Sequence, residues 1–159
     1  MTPNSILWEL TQFLWKEAEL LDRRRYTEWL QLWKPEGRYV VPTDPDAIDF
    51  EDRINYIFDD DSMRTRRVER LLSGFTTSER PPTRTTRSVS CVRVVEDAEG
   101  RWECRSSLML VAYRRGTQEL LSGEVTHVIE RLGSELKIAR KVARLVQLEG
   151  NMTDISYLI

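Results

Sequence analysis

The sequence predicts an α+β domain in which N-terminal helices lie on one face of a curved, mainly antiparallel sheet, and three observations carry that prediction. Apolar residues recur at three- and four-residue spacing through residues 5–23. From Ser88 onward four strand-like runs follow one another, separated only by short turns that contain glycine. Between the two halves lies a stretch with Pro81-Pro82 at its centre that cannot be regular structure. Neither flank alone has enough sheet to stand, so residues 1–159 are expected to form one domain.

In chain order, Leu7, Leu10, Leu14, Ala18 and Leu21, widened by Trp8 and Phe13, predict an amphipathic helix capped by Asn4 or Ser5. Tyr26, Trp29, Leu30 and Trp33 cluster on one side of a second, shorter helix that Pro35 and Gly37 stop. A short strand over residues 38–41 ends at Pro42, and residues 43–52 read as a polar connection. Residues 54–58 could form another strand. Asp59, Asp60 and Asp61 then precede a helix carrying Met63, Val68, Leu71 and Leu72, where they oppose the positive end of its dipole, and Gly74 is placed to end it. Strands follow over residues 88–96, 102–114 and 119–132. In the last of these Leu121, Val125, His127 and Ile129 share one face, while Ser122, Glu124, Thr126 and Glu130 share the other. Residues 136–148 fit a strand with Ile138, Val142, Val146 and Leu148 in phase, and also a helix on Leu136, Ala139, Ala143 and Val146. The hairpin turn before them favours the strand.

A chain of 159 residues can bury roughly 70% of its unfolded surface without covalent staples. Its 24 basic and 26 acidic residues balance to a formal charge of −2, whereas a nucleic-acid binder is lopsidedly basic. No basic leader with an apolar core opens the sequence and no run approaches a membrane span, so a cytoplasmic protein without nucleic-acid or membrane partners is expected. If Asp97-Ala98-Glu99-Gly100 turns a hairpin, Cys104 faces Arg93 and Cys91 becomes its diagonal neighbour, about 7–8 Å away and beyond disulfide reach. Both cysteines are expected to stay reduced.

One histidine cannot supply a Rieske cluster, which takes two cysteines and two histidines, nor a two-histidine, one-carboxylate iron site. Cys91, Cys104 and His127 are one ligand short of structural zinc. No phosphate-cradling glycine loop and no Gly-x-Ser-x-Gly elbow is present. Three constellations remain. Asp22, His127 and Tyr26 could form a buried acid-base set; alternatively Asp22 merely ends a helix and His127 is hydrogen-bonded in the core. Arginines including Arg64, Arg67, Arg84 and Arg87 could grip a partner, or form salt-bridged surface with the acids between them. Of Trp8, Trp15, Trp29 and Trp33 most should be core, with one or two at an edge suiting a subunit interface.

FDDDSMRTRRVERLLSG, followed by SERPPTRTTRSVSCVRV, resembles the small, or β, subunits of Rieske-type aromatic ring-hydroxylating dioxygenases. Those subunits carry a Tyr/Phe-Asp-Asp motif, an Arg- and Leu-rich helix ending at Gly, and a Pro-Pro-Ser/Thr-Arg-Thr step into a strand. The resemblance extends back through FLWKEAELLDRRRYTEWLQLW and GRYVVP and forward to Ser156-Tyr157-Leu158-Ile159, so nearly the whole chain is covered. Where the family commonly has Arg-Thr-Arg-His and then Ser-Asn, this chain has Arg84-Thr85-Thr86-Arg87 and Ser90-Cys91. The resemblance implies a cone-shaped, nuclear-transport-factor-2-like fold. It also implies assembly as three α with three β subunits, with the Rieske cluster and the mononuclear non-haem iron both in α and no cofactor in this chain. On that reading Arg64, Arg67, Arg84 and Arg87 are candidate contacts to α, other β chains are further partners, and no catalytic residue is expected. The alternative is a free-standing isomerase or dehydratase of the same fold using Asp22 and His127.

Overall fold

A computed structural model describes residues 3–73, 81–147 and 157–159. Helix α1 (Pro3–Asp22) and the short α2 (Tyr26–Leu30) are followed by strands β1 (Trp33–Pro42) and β2 (Asn55–Asp59), helix α3 (Asp61–Ser73), and four strands. These are β3 (Arg84–Ala98), β4 (Arg101–Arg114), β5 (Thr117–Leu132) and β6 (Glu135–Leu145). The six strands form one sheet in the order β2-β1-β6-β5-β4-β3, antiparallel throughout except where β1 runs parallel to β6. The helices lie on one side of it, as expected.

Helix α1 lays Leu10, Phe13, Leu14, Ala18 and Leu21 against the inner face of the sheet. Opposite them, Leu108, Leu110 and Ala112 of β4 and Leu121, Val125 and Ile129 of β5 complete the core. The tail residues Tyr157, Leu158 and Ile159 are buried in the same cluster, with Ile159 exchanging hydrogen bonds with the Tyr39 hydroxyl at 2.9 and 3.0 Å. Side chains of α1 also occupy the free edge of β3: Trp15 Nε1 donates to the Val89 carbonyl at 3.0 Å, and the Asp22 carboxylate accepts the Arg87 amide at 2.8 Å. The edge is thereby closed to further strands where the helix runs along it.

Several expectations are corrected. The long helix begins at Pro3, ahead of Asn4 and Ser5, so its cap lies outside the described residues. Trp8, placed on the core stripe, is 60% exposed. Trp33 belongs to β1, which is longer than residues 38–41. Pro35 and Gly37 do not end a helix; they sit in an irregularity where the register with β6 jumps between Trp33 and Arg38, and a sheet accepts proline at such a point. The connection over residues 43–54 is more than polar, because Ala47 and Phe50 cover Val40 and Val142 on the outer face. Met63 and Leu72 face outward from α3, and Gly74 lies outside the described residues. Strand β3 starts four residues earlier than predicted, at Arg84.

Bulges account for the remaining differences. Cys91 takes φ 53° where the register of β3 shifts, so Cys104 pairs with Val94 instead of Arg93. Both thiols are free: Cys91 is exposed, and burial pushes the Cys104 thiol up to about 12. In β6 a shift beside Ala139 puts Ile138 opposite Ile129 but Arg140 opposite Val128. From there Lys141, Ala143 and Leu145 point inward and Val142 outward, reversing the predicted phase. Val146 is 72% exposed and Leu148 lies outside the described residues.

Candidate functional site

A polar cluster within the core is built around Glu17, which α1 presents between Leu14 and Leu21 on its buried stripe. Its Oε1 accepts from Lys141 Nζ at 2.8 Å and from Trp29 Nε1 at 3.0 Å, while its Oε2 lies 2.8 Å from His127 Nε2. All four residues are buried, with Glu17, His127 and Lys141 each no more than 4% exposed. Burial alone would raise the Glu17 carboxyl, but the charge of Lys141 and the bonds from Lys141 and His127 overcome it and hold the group well below the usual carboxylate range. Burial lowers His127 against the opposing pull of Glu17. Burial thus favours the neutral imidazole, whose Nε2 faces the carboxylate. A second proton would place an N–H on Nδ1, which is buried without a partner. Glu17 and Lys141 lie at ion-pair distance, with burial pulling the Lys141 ammonium down against the charge of Glu17, and His127 is the third partner.

Beside this cluster the cone interior narrows to a cavity of about 20 Å³, lined by Leu14, Arg87, Leu108, Val125 and Ile159 together with Glu17, His127 and Lys141. That is water-sized; an apolar cavity able to hold benzene is about 150 Å³.

Asp22 and Tyr26 do not join His127. The Asp22 carboxylate accepts from Thr85 Oγ1 at 3.0 Å, from the Arg87 amide and from the Arg87 guanidinium. Tyr26 is buried at the start of α2. The carboxylate that meets His127 is Glu17, which sequence reasoning passed over although it stands three residues after Leu14 and four before Leu21. Lys141 was hidden by the bulge at Ala139.

The arginines divide just as sharply. Arg64 is fully buried: its guanidinium lies 4.3 Å from the Trp33 ring and donates to the carbonyls of Gly37, Lys34 and Asp59. It thus occupies the carbonyls that the irregular start of β1 withdraws from the sheet. Arg67 grips buried Asp59 through two bonds of 2.6 and 2.9 Å, and Asp60 caps α3 by accepting the Met63 amide at 2.9 Å. The Arg87 side chain is 3% exposed and ties Asp22 to the Leu158 carbonyl, joining α1, β3 and the tail. Of the four predicted interface arginines, only Arg84 is exposed, and Arg64 and Arg87 are corrected to core residues. Two tryptophans do remain outside: Trp8 and Trp15 meet edge to face at 5.9 Å on the outer side of α1.

Among the described residues, no group of three or more His, Cys, Asp or Glu could hold a metal ion. No helix among them is long and apolar enough to cross a membrane. Residues 16–149 match the family model described as ring hydroxylating beta subunit. The chain belongs to that family. It is 33% identical over 141 residues to the β subunit of N,N-dimethyl phenylurea N-demethylase from Sphingobium sp., covering 84% of this chain and 80% of that one. It is also 33% identical over 137 residues to the benzene 1,2-dioxygenase β subunit of Pseudomonas putida, covering 80% and 73%. In structure it resembles a chain of naphthalene 1,2-dioxygenase with a TM-score of 0.85 at 20% identity, over 100% of this chain and 88% of the other. The β-subunit family and the cone-shaped, nuclear-transport-factor-2-like fold are as the resemblance implied. The family motifs now have physical content: Asp59, Asp60, Thr85 and Arg87 bind parts of the chain to one another.

Proposed function

We propose that this β subunit is the non-catalytic component of an aromatic ring-hydroxylating oxygenase, assembling with catalytic α subunits as three α and three β. The observation that carries the reading, beyond family membership, is the filled cone: a cavity of about 20 Å³ leaves no room for an aromatic ring beside the only histidine. That histidine is already engaged by Glu17. The donor set does not fit a Rieske cluster or a facial iron site, so both would reside in α, with electrons from NAD(P)H arriving there through a reductase. The relatives named above are β subunits of enzymes named for benzene and for a phenylurea, which supports an aromatic substrate here. The free-standing isomerase is not retained, because Asp22 is bound to Arg87 and Thr85 instead of His127. Purified alone, the chain should contain no stoichiometric iron, and co-expressed with its α partner it should co-sediment as a hexamer that does. Iron in the isolated chain, or no stable complex with α, would overturn the proposal.

A further inference from the structure

Tyr157, Leu158 and Ile159 belong to no strand, yet all three are buried in the core. Side chains from three strands hold one residue each. The Tyr39 hydroxyl of β1 exchanges hydrogen bonds with the Ile159 backbone, Arg87 of β3 donates to the Leu158 carbonyl, and Glu119 of β5 accepts from the Tyr157 hydroxyl at 3.3 Å. Ile159 thereby becomes one wall of the cavity of about 20 Å³ beside Glu17, His127 and Lys141. The other walls are of two kinds. Leu14, Leu108 and Val125 are apolar, whereas His127 and Arg87 each keep one buried nitrogen, Nδ1 and Nε, without a hydrogen-bond partner among the described residues. Buried nitrogens in that condition are uncommon in a folded core.

We infer that residues 157–159 plug a latent binding site inside the cone, and that this site takes a phenol-sized molecule, an apolar ring bearing one hydroxyl. Without the Ile159 side chain the apolar walls enclose a larger space, because the structure around a buried deletion relaxes only in part. The ring packs on leucine and valine, and its hydroxyl serves both stranded nitrogens. It accepts from the Arg87 Nε–H and donates to His127 Nδ1, which is an acceptor when Nε2 carries the proton that faces Glu17. Benzene serves neither nitrogen. The tail suits a plug because a few side-chain bonds anchor it in place of a strand ladder, so it detaches without dismantling the sheet. The inference is independent of the oxygenase reading, since neither iron nor complex formation enters its test.

Titration calorimetry of the full chain with phenol and with benzene tests this. Ile159→Ala should bind phenol about tenfold or more tighter than wild type does, and roughly fivefold tighter than it binds benzene. Tyr39→Phe keeps its ring in the core but loses both bonds to Ile159, so it too should raise the affinity for phenol, and it decides the matter if Ile159→Ala fails to fold. Val68→Ala, a buried truncation away from the cavity walls, should bind as wild type does. No gain in the folded tail variants, or an equal gain in Val68→Ala, overturns the plug. Benzene binding as tightly as phenol overturns the part given to the two nitrogens.

Discussion

Three partners converge on the Glu17 carboxylate, which is 3% exposed. Removing its charge strands Lys141, and breaking a buried pair in this way costs about 3–5 kcal/mol. Glu17→Gln should therefore lose that much in chemical denaturation. Adding Lys141→Met should restore part of it, the double variant costing about 1–3 kcal/mol less than the sum of the singles. His127 gives a separate signature in pH. Its native value is lowered below the ordinary 6.5, so between those two values the unfolded chain binds a proton that the native protein does not. Stability then falls as pH drops below 6.5, by at most about 1.4 kcal/mol per unit from this group. His127→Gln should remove that component of the slope, seen as a smaller loss of denaturation midpoint between neutral and acid pH than in wild type.

At the scale of elements, the strands were legible wherever two-residue alternation ran unbroken, as in β5. They were misread where a bulge reversed it. Ile138 and Val142 look in phase in the sequence, but the shift beside Ala139 sends them to opposite faces and turns Lys141 inward. Likewise Pro35 and Gly37 read as stop signals because the partner that makes the irregular segment tolerable, Arg64, lies 27 residues beyond Gly37. Long-range satisfaction of backbone groups leaves no local mark. The close approach of β5 and β6 is equally silent in the sequence. A Cβ on Gly123 would lie 2.0 Å from the Arg144 carbonyl oxygen and 2.8 Å from Leu145 Cα, and neither backbone atom can swing aside. Gly123→Ala should cost about 3 kcal/mol or more by forcing the two strands apart, read as a lowered midpoint in thermal or urea unfolding.

Across the whole molecule, the α+β class, the order of elements and the family were legible, because helical spacing and strand alternation survive local irregularity and several motifs recur in order. Which of the candidate arginines stay exposed was not, because exposure of an arginine depends on which distant groups it meets. Arg84 and Arg87 are three residues apart on one strand, yet one is exposed and the other joins α1 to the buried tail. Charge reversal should separate them: Arg87→Glu places a second carboxylate against Asp22 and should abolish cooperative folding, whereas Arg84→Glu should retain the wild-type melting transition, both followed by circular dichroism. In this fold a carboxylate, an imidazole and an ammonium group inside the cone resemble catalytic machinery, and the proposed function takes them instead as support beside a water-sized cavity.

The most direct test of that distinction is turnover in the assembled enzyme. If the proposed function holds, a complex of wild-type α with β carrying Glu17→Gln and Lys141→Met, normalised to the amount of assembled complex, should oxidise its substrate within about twofold of wild type, since on that reading neither group touches a reacting atom. A loss of about 100-fold or more at unchanged assembly and iron content, the size expected when a general acid or base is removed, would contradict the account.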